Sequence, residues 1–323
     1  MRDKLGQDNV RTGREYPFTS GTAAEKPADT ESPYLHDSSR ALRPVFLVLP
    51  EGRENRPSVR EPGTAAAGPC LVRSEDWLKQ ADPLFTAWLA TGDGPEADLA
   101  LRRIYYRLRD EASALLGSAD GEWAAVSLPA VPELDSRPDR LAELQDILLE
   151  ALFNALAERQ REGGDCRLDL LAPHPASAHE FAAAREFIET VAEQTLGHRF
   201  AAACRIGALF APDISPAAAE EIGRIADFLV LDGAADGSAP EESAAADLVS
   251  AAESILAAVR GVKPAAVVFA AGGSAAAALA DLYRIGLNGI FCGAEHRTEA
   301  LLRAACLVWM DRHESADTAT GWL

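Results

Sequence analysis

Candidate binding residues follow two of the apolar, strand-like runs of the sequence. Arg73 ends one run, and its guanidinium is suited to hold a phosphate or a carboxylate. Gly272, Gly273 and Ser274 lie between another run and a helix-like segment, where backbone N–H groups and the helix dipole favour an anion. A small anionic ligand is therefore one expectation. The plainer alternatives are that Arg73 pairs with Glu75 or another carboxylate, and that the glycines form an ordinary turn.

Carboxylates that are candidates for metal binding follow the fifth and sixth runs. Asp213, Asp232 and Asp236 occupy these positions, and Mg²⁺ prefers carboxylate oxygens as ligands. Asp213 fits equally well in the turn that leads into a helix capped by Ser215. The sequence therefore favours the absence of a metal site, and these three aspartates are the candidates if one exists.

Histidine and cysteine give weaker signals. His174 follows the fourth run and has a side chain that can act as a general base. No partner for it is evident in the sequence, so we expect a solvated loop histidine. The scattered cysteines include no C-x-x-C pair, which argues against a zinc site and a disulfide framework. They are Cys70, Cys166, Cys204, Cys292 and Cys306.

Eight short apolar runs must position these residues, and each is followed by a helical or helix-length segment. Runs of this kind predict parallel strands buried on both faces and joined by right-handed crossovers. Eight such units predict an α/β fold, a (β/α)8 TIM barrel, and a doubly wound open sheet is the alternative. The runs are Val45–Leu49, Cys70–Val72, Ala124–Leu128, Leu168–Leu171, Ile206–Phe210, Phe228–Leu231, Ala265–Phe269 and Leu287–Phe291.

Helix-capping residues mark several of the connections. Ser177 with Glu180 predicts a capping box. Ser215 followed by Pro216 predicts an N-cap and a first helical residue. Ser274 is expected to cap a helix that ends at a glycine. These signals place the candidate residues at strand ends, directly before helices.

Composition limits the classes of function. The 323 residues carry a formal net charge of −19, so we expect no nucleic-acid partner, because a phosphate backbone would be repelled. No apolar run approaches the length of a membrane span and no signal peptide is evident, so a cytoplasmic protein is expected. Residues 1–40 are polar and lack an apolar period, which predicts a disordered tail before a barrel domain at 41–323.

Several stretches also resemble one enzyme family. Residues 70–75, CLVRSE, resemble the motif G-L-x-R-T-E-F, and residues 205–236 resemble G-x-M-x-E-x-P, a helix and D-F-F-S-I-G-T-N-D-L. Residues 169–173 and 282–291 resemble two further strand motifs of the same proteins. Over residues 44 to 312 the chain is thus similar to the C-terminal barrel of phosphoenolpyruvate (PEP)-utilising enzymes, which implies a barrel of the phosphoenolpyruvate/pyruvate-binding type. The family's phosphohistidine and ATP-grasp domains have no counterpart here.

The resemblance implies a metal ion, PEP-binding arginines and a cysteine proton donor, but this chain departs from the family at those positions. Arg73 alone matches a phosphate-binding arginine of the family. A second arginine falls on Ser127, the proton donor falls on Phe269, and the metal-binding positions fall on Ala211, Ala234 and Ala235. Methyl groups cannot bind Mg²⁺, so the family reaction is expected to be lost.

Three hypotheses remain from the sequence. The first is a catalytically degenerate PEP-utilising barrel, without a cofactor, that acts as a binding, regulatory or scaffolding protein. The second is an active PEP-dependent phosphotransferase or lyase that uses Mg²⁺ and reassigned residues. The third is a ligand sensor with an anion pocket at Arg73 and the Gly272–Ser274 turn. By analogy with family barrels, a homodimer is expected, and a separate protein partner is an open alternative.

Overall fold

A computed structural model describes residues 46–52, 70–92, 94–119, 123–164, 167–199, 204–233 and 241–320. The tail predicted at 1–40 lies outside these residues. Ala234, Ala235 and Asp236 also lie outside them, so the structure leaves those three positions untested.

Eight parallel strands form a nearly closed barrel, which confirms the predicted TIM-barrel fold. Each strand pairs with its neighbours in the order β1-β8-β7-β6-β5-β4-β3-β2. The barrel closes between β1 and β2 through one bridge, where the N–H of Gly52 donates to the Leu71 carbonyl at 2.8 Å. The strands are β1 Leu47–Pro50, β2 Cys70–Arg73, β3 Trp123–Ser127, β4 Arg167–Pro173, β5 Cys204–Phe210, β6 Leu229–Asp232, β7 Val268–Ala271 and β8 Gly289–Cys292.

Helices surround the described strands and connect them. Within the described part of the chain, no helix is both long and apolar enough to cross a membrane. The helices are α1 Ser74–Gln80, α2 Asp82–Ala90, α3 Pro95–Ala119, α4 Pro138–Arg161, α5 Ala178–Leu196, α6 Pro216–Ile225, α7 Glu241–Val262, α8 Gly273–Ala277, α9 Leu279–Ile285 and α10 Ala294–Thr320.

Two of the three predicted caps are confirmed. The hydroxyl of Ser177 accepts the N–H of Glu180, and the hydroxyl of Ser215 accepts the N–H of Ala218, both at 3.2 Å. The cap predicted at Ser274 is wrong. Gly272 precedes α8 instead, with φ +100°, and Ser274 lies inside the helix because its hydroxyl donates to a carbonyl of the neighbouring strand end.

The barrel interior is packed with apolar side chains. Its middle is filled by aliphatic residues and by the rings of Phe228, Phe269 and Phe291. Phe228 reaches inward because Gly207 faces it, and a Cβ at Gly207 would lie 2.7 Å from the ring. The interior is therefore a packed core rather than a channel. A ligand can reach polar inward-facing residues only at the ends of the strands.

Candidate functional site

A polar cluster lies at the carboxyl ends of the strands, and we call Glu51, Arg73, Asp232 and His174 the mouth cluster. Glu51 follows β1, Arg73 ends β2 and Asp232 ends β6. Because side chains alternate along a strand, all three face into the barrel mouth, beyond the interior residues two positions earlier. Strands β2 and β6 lie on opposite sides of the eight-stranded ring. The cluster therefore crosses the mouth, where TIM-barrel active sites are found.

Arg73 is bound by two carboxylates from different strands. Its Nε donates to Glu51 Oε1 at 2.6 Å. Its Nη1 and Nη2 donate to Asp232 Oδ2 and Oδ1, each at 2.8 Å, which is a bidentate pair. The Asp232 side chain is 7% exposed and the Arg73 side chain 20%. All three guanidinium nitrogens are therefore engaged by this chain's own carboxylates.

Burial and charge act in opposite directions on Arg73. Burial by itself would lower the pKa of the guanidinium, but the hydrogen bonds and charges of Asp232 and Glu51 outweigh burial and raise the pKa above its ordinary value. The arginine thus stays charged, and the cluster holds two carboxylates against one permanent cation. Without a proton on His174, its formal charge is −1.

His174 joins the cluster in an unusual backbone conformation. Its φ is +41°, and it is the one non-glycine residue with positive φ in the described part of the chain. The backbone N–H donates to the Leu209 carbonyl at 2.8 Å, and Nε2 lies 3.0 Å from Asp232 Oδ2. Pro175 follows and disfavours this conformation. Such strain costs about 1–3 kcal/mol and is concentrated at functional sites in proteins.

The contact with Asp232 decides which nitrogen of His174 carries the proton. Asp232 is held by Arg73 as a carboxylate, so it can only accept hydrogen bonds. Nε2 must then be protonated, and in the neutral ring Nδ1 is the proton acceptor. The His174 side chain is 43% exposed. The predicted solvated loop histidine therefore has a buried partner that sequence reasoning missed.

Asp232 is positioned by a close contact directly after it. The N–H of Gly233 donates to the Ala271 carbonyl at 2.7 Å, and the Gly233 carbonyl accepts the hydroxyl of Ser274. A Cβ at Gly233 would lie 2.5 Å from the Ser274 oxygen, so only glycine allows this approach. Ser274 is 4% exposed. Its structural role is to fix the end of β6, and with it the carboxylate of Asp232.

Glu75 does not pair with Arg73, although the sequence suggested this pair. Its Oε1 accepts the N–H of Ala130 at 2.7 Å instead and ties α1 to the loop after β3. Burial raises the pKa of Glu75, and the hydrogen bond from Ala130 opposes that rise. Arg73 finds its partners across the barrel because its side chain points inward, whereas Glu75 already belongs to a helix outside the mouth.

The structure shows how the other predicted anion-binding groups are used. The N–H of Gly272 donates to the Phe291 carbonyl at 3.1 Å. Gly273 begins a helix of five residues, and the hydroxyl of Ser274 is engaged by Gly233. Anion binding at this turn and at Arg73 stays a prediction, because a ligand would have to replace contacts that the chain makes with itself.

The aspartates proposed for a metal site are separated. Asp213 is exposed in the turn before α6, while Asp232 is bound to Arg73. Among the residues that the structure describes, no group of three or more His, Cys, Asp or Glu side chains could hold a metal ion.

The described positions that match family site residues hold small or apolar groups. Ser127 is buried at the end of β3, and Ala211 follows β5. Phe269 points into the barrel, with its ring centroid 5.2 Å from Phe291 and 6.3 Å from Trp123. The place that the resemblance assigns to a cysteine proton donor is therefore part of the aromatic core.

Comparisons with known proteins support no family assignment. A scan against protein-family models and a search of curated proteins found no match. Solved structures with similarity include GH26C from Muricauda sp. MAR_2010_75, at 11% identity and TM-score 0.43, covering 78% of this chain and 79% of that chain. Bee venom hyaluronidase matches at 10% identity and TM-score 0.28, covering 64% of this chain and 76% of that chain. Likeness at this level carries no argument about activity.

Proposed function

We propose that this protein is a non-catalytic TIM barrel, similar to PEP-utilising enzymes in outline, that serves as a binding, regulatory or scaffolding protein. Its ligand site is the mouth cluster. The observation that carries the proposal is the state of Arg73, whose guanidinium nitrogens all donate to Glu51 and Asp232. The one residue that matches a phosphate-binding arginine is neutralised from within the chain.

The charge of the mouth cluster works against PEP chemistry. A PEP phosphate at Arg73 would have to displace a carboxylate and would then lie beside it, and like charges at close range are destabilising. The reaction also needs a divalent cation to stabilise the developing negative charge, a contribution of several kcal/mol. Ala211 offers no ligand for such an ion, and Asp232 is already engaged by Arg73.

The barrel interior supports the same conclusion. Phe269 has no proton to transfer, and its ring packs against Phe291 and Trp123. A proton donor at this position would have to replace an aromatic side chain that fills the core. At the described positions that match family site residues, the barrel therefore offers no proton donor and no metal ligand, which supports a non-catalytic role.

A thermal-shift experiment tests the proposal. PEP, pyruvate and oxalate are each added with and without Mg²⁺ or Mn²⁺, because a ligand that binds the folded state at 100 times its Kd stabilises it by about 2.7 kcal/mol. We expect no stabilisation that depends on the metal. Metal-dependent stabilisation by oxalate or pyruvate would overturn the proposal.

Variants separate anion binding from non-specific effects in the same experiment. Arg73→Met removes the mouth arginine, and Arg224→Met removes an exposed arginine that pairs with Glu220 on α6. Metal-independent stabilisation by an anion that Arg73→Met abolishes and Arg224→Met retains would identify the protein as an anion sensor, which is a non-catalytic binding protein.

The second candidate is an active PEP-dependent phosphotransferase or lyase with reassigned residues. One observation favours it: His174 is held against Asp232 through Nε2 in a strained conformation, which leaves Nδ1 as the acceptor of the neutral ring. The test is formation of pyruvate from PEP by the pure protein, with His174→Asn as the comparison. Turnover that the variant loses would establish this candidate in place of the first.

We also propose that the protein self-associates as a homodimer. The support is an apolar surface on α10, whose described side chains include two of the most exposed large hydrophobic residues in the structure.

A further inference from the structure

Helix α10 presents an apolar stripe to solvent, formed by Leu302, Ala305, Cys306 and Trp309. All four are exposed, Leu302 at 66% and Trp309 at 59%. Their spacing of three, four and seven residues places them on one face of the helix. Leu301 and Met310 border the stripe at 47% and 46% exposure. A surface helix normally turns such a face towards the core, so this one lacks a partner within the described chain.

A groove extends the stripe on one side. It has a volume of about 440 Å³ and separates the outer face of β1 from α10. In a complete (β/α)8 ring, the connection after β1 would cover this side. That connection, residues 53–69, contains three prolines and two glycines, and Val59 is its one large apolar residue. The lining residues are Phe46, Val48, Leu301, Ala304, Ala305, Val308 and Trp309.

We propose that the stripe is a homodimer interface in which α10 packs antiparallel against α10 of a second copy. A twofold interface must be complementary to itself. The stripe meets this requirement because the order of its side-chain sizes is nearly the same in both directions. A large residue lies at each end, and the small Ala305 and Cys306 lie at its centre. An axis between these two small residues places Leu302 of one copy over Trp309 of the other.

Charge supports a second copy as the occupant. The stripe itself carries no charge. Glu295 and Glu299 precede it, and Glu299 pairs with Arg303 of the same helix at 3.6 Å. The exposed His313 follows the stripe, and its ring is tilted against that of Trp309 with centroids 4.0 Å apart. With the axis between Ala305 and Cys306, antiparallel pairing sets position 299 of one copy, a glutamate, opposite position 312 of the other, an arginine, whereas parallel pairing would set Glu299 opposite Glu299. Each chain carries a net charge of −19, so added salt should tighten the dimer by screening repulsion.

The geometry places the two Cys306 side chains beside the twofold axis. Packed helices lie about 8–10 Å apart and carry their Cα atoms about 2.3 Å from the axis, so facing Cα atoms come within roughly 3.4–5.4 Å. A disulfide needs about 4.4–6.8 Å between Cα atoms. Mild oxidation should therefore link two copies through Cys306, which is exposed in the single chain.

The test measures molar mass by light scattering over a dilution series of the full chain. We expect a dimer whose dissociation constant rises about 30-fold or more in Leu302→Glu, since Leu302 of each copy packs on Trp309 of the other and loss of such an anchor costs about 2 kcal/mol or more. Tyr106→Glu is the control, because Tyr106 is another exposed large hydrophobic residue, on α3, at 53%. Its dissociation constant should be unchanged. Oxidation should give a covalent dimer that Cys306→Ser cannot form.

Three results would overturn this interface. They are a wild-type protein that stays monomeric at every concentration, a dimer that Leu302→Glu leaves intact, and a cross-linked dimer that persists in Cys306→Ser. The inference deepens the self-association proposed above and is independent of the mouth ligand. A monomeric Leu302→Glu protein that keeps the wild-type thermal-shift response would separate the two proposals.

Discussion

The barrel contains two inward-facing arginine–carboxylate groups, one at each end, and they differ in what surrounds them. At the amino end, Arg205 on β5 pairs with Asp169 on the adjacent strand β4. At the carboxyl end, Arg73 reaches across the barrel to Asp232 and also binds Glu51. The first pair joins neighbouring strands, while the second joins opposite sides of the ring.

The amino-end pair is matched in charge, and its arginine lies against aromatic rings while 43% of the Arg205 side chain remains exposed. The Arg205 guanidinium carbon lies 5.3 Å from the Phe228 ring centroid and 5.7 Å from that of Trp123. Asp169 is 1% exposed. The hydrogen bond from Arg205 to Asp169 is the main reason that the pKa of Arg205 is raised. Features at the amino end of a TIM barrel serve stability, and this pair closes the bottom of the core.

The mouth cluster is unbalanced in charge and strained by comparison, although its arginine is less exposed than Arg205. It holds a second carboxylate, a half-exposed histidine and a left-handed residue beside a proline. These features cost stability without filling the core. The same pair of residue types thus joins neighbouring strands at one end of the barrel and, at the other end, belongs to the cluster that we propose as a ligand site.

The largest expected effect is the loss of the amino-end arginine. Arg205→Met leaves Asp169 buried without a partner, which should destabilise the protein by about 3–5 kcal/mol in urea unfolding. The double variant Asp169→Leu/Arg205→Met should recover most of that loss, because a well-packed apolar pair replaces the ions. If Arg205→Met were as stable as the wild type, the amino-end pair would not have the role assigned to it.

A smaller loss is expected at the mouth. Arg73→Met leaves Glu51 and Asp232 close together without a cation, but Asp232 keeps the contact with His174 Nε2 at 3.0 Å, so we expect about 2–4 kcal/mol. Arg224→Met, which breaks an exposed pair, should change stability by less than about 1 kcal/mol. A loss at Arg73 that exceeds the loss at Arg205 would reverse the comparison.

Ser274→Ala tests the support of Asp232. It removes the donor for the Gly233 carbonyl, and an unsatisfied buried acceptor costs about 1–3 kcal/mol. Ser254→Ala on the exposed face of α7 is the control and should be neutral. Both are measured by urea unfolding. Equal stability of the two variants would show that the strand end does not depend on this hydrogen bond.

His174→Asn should have little effect on stability, within about 1 kcal/mol. Asparagine tolerates positive φ better than most residues, so relief of strain offsets the lost contact with Asp232. The measurement is urea unfolding, with His174→Val as the contrasting variant, because a β-branched side chain is disfavoured at this φ. If asparagine and valine destabilised the protein equally, the left-handed conformation would not be maintained at this position.

The smallest effect is expected from Glu75→Gln, and it depends on pH. Burial raises the pKa of Glu75 in the folded chain. Between the pKa of the unfolded chain and that of the folded chain, the folded chain therefore binds more protons. Its stability falls as pH rises through this range towards neutral. Glutamine keeps the acceptor for the Ala130 N–H without this loss. The variant should therefore gain stability relative to wild type at pH 7 and show no gain at pH 4. Glu221→Gln on exposed α6 should show no such pH dependence.

The sequence predicted the strands better than it predicted the helices between β2 and β3. All eight runs contain strands, although the first, seventh and eighth strands begin two to three residues later than expected. The residues between α7 and β7 form a turn, in which the N–H of Ala266 donates to the Lys263 carbonyl, so the strand begins after it. Helices α1 and α2 are too short to show a helical period of apolar residues in the sequence, so only the structure reveals them.

What the sequence determined by itself is the fold and the positions of polar residues at strand ends, since apolar periodicity and capping are local properties. It could not determine which of those residues meet. Arg73 and Asp232 are 159 positions apart, and only closure of the ring brings them within 2.8 Å. The partner of His174, the role of Ser274 and the exposed stripe on α10 were likewise decided by tertiary structure, because each depends on which strand or helix lies opposite.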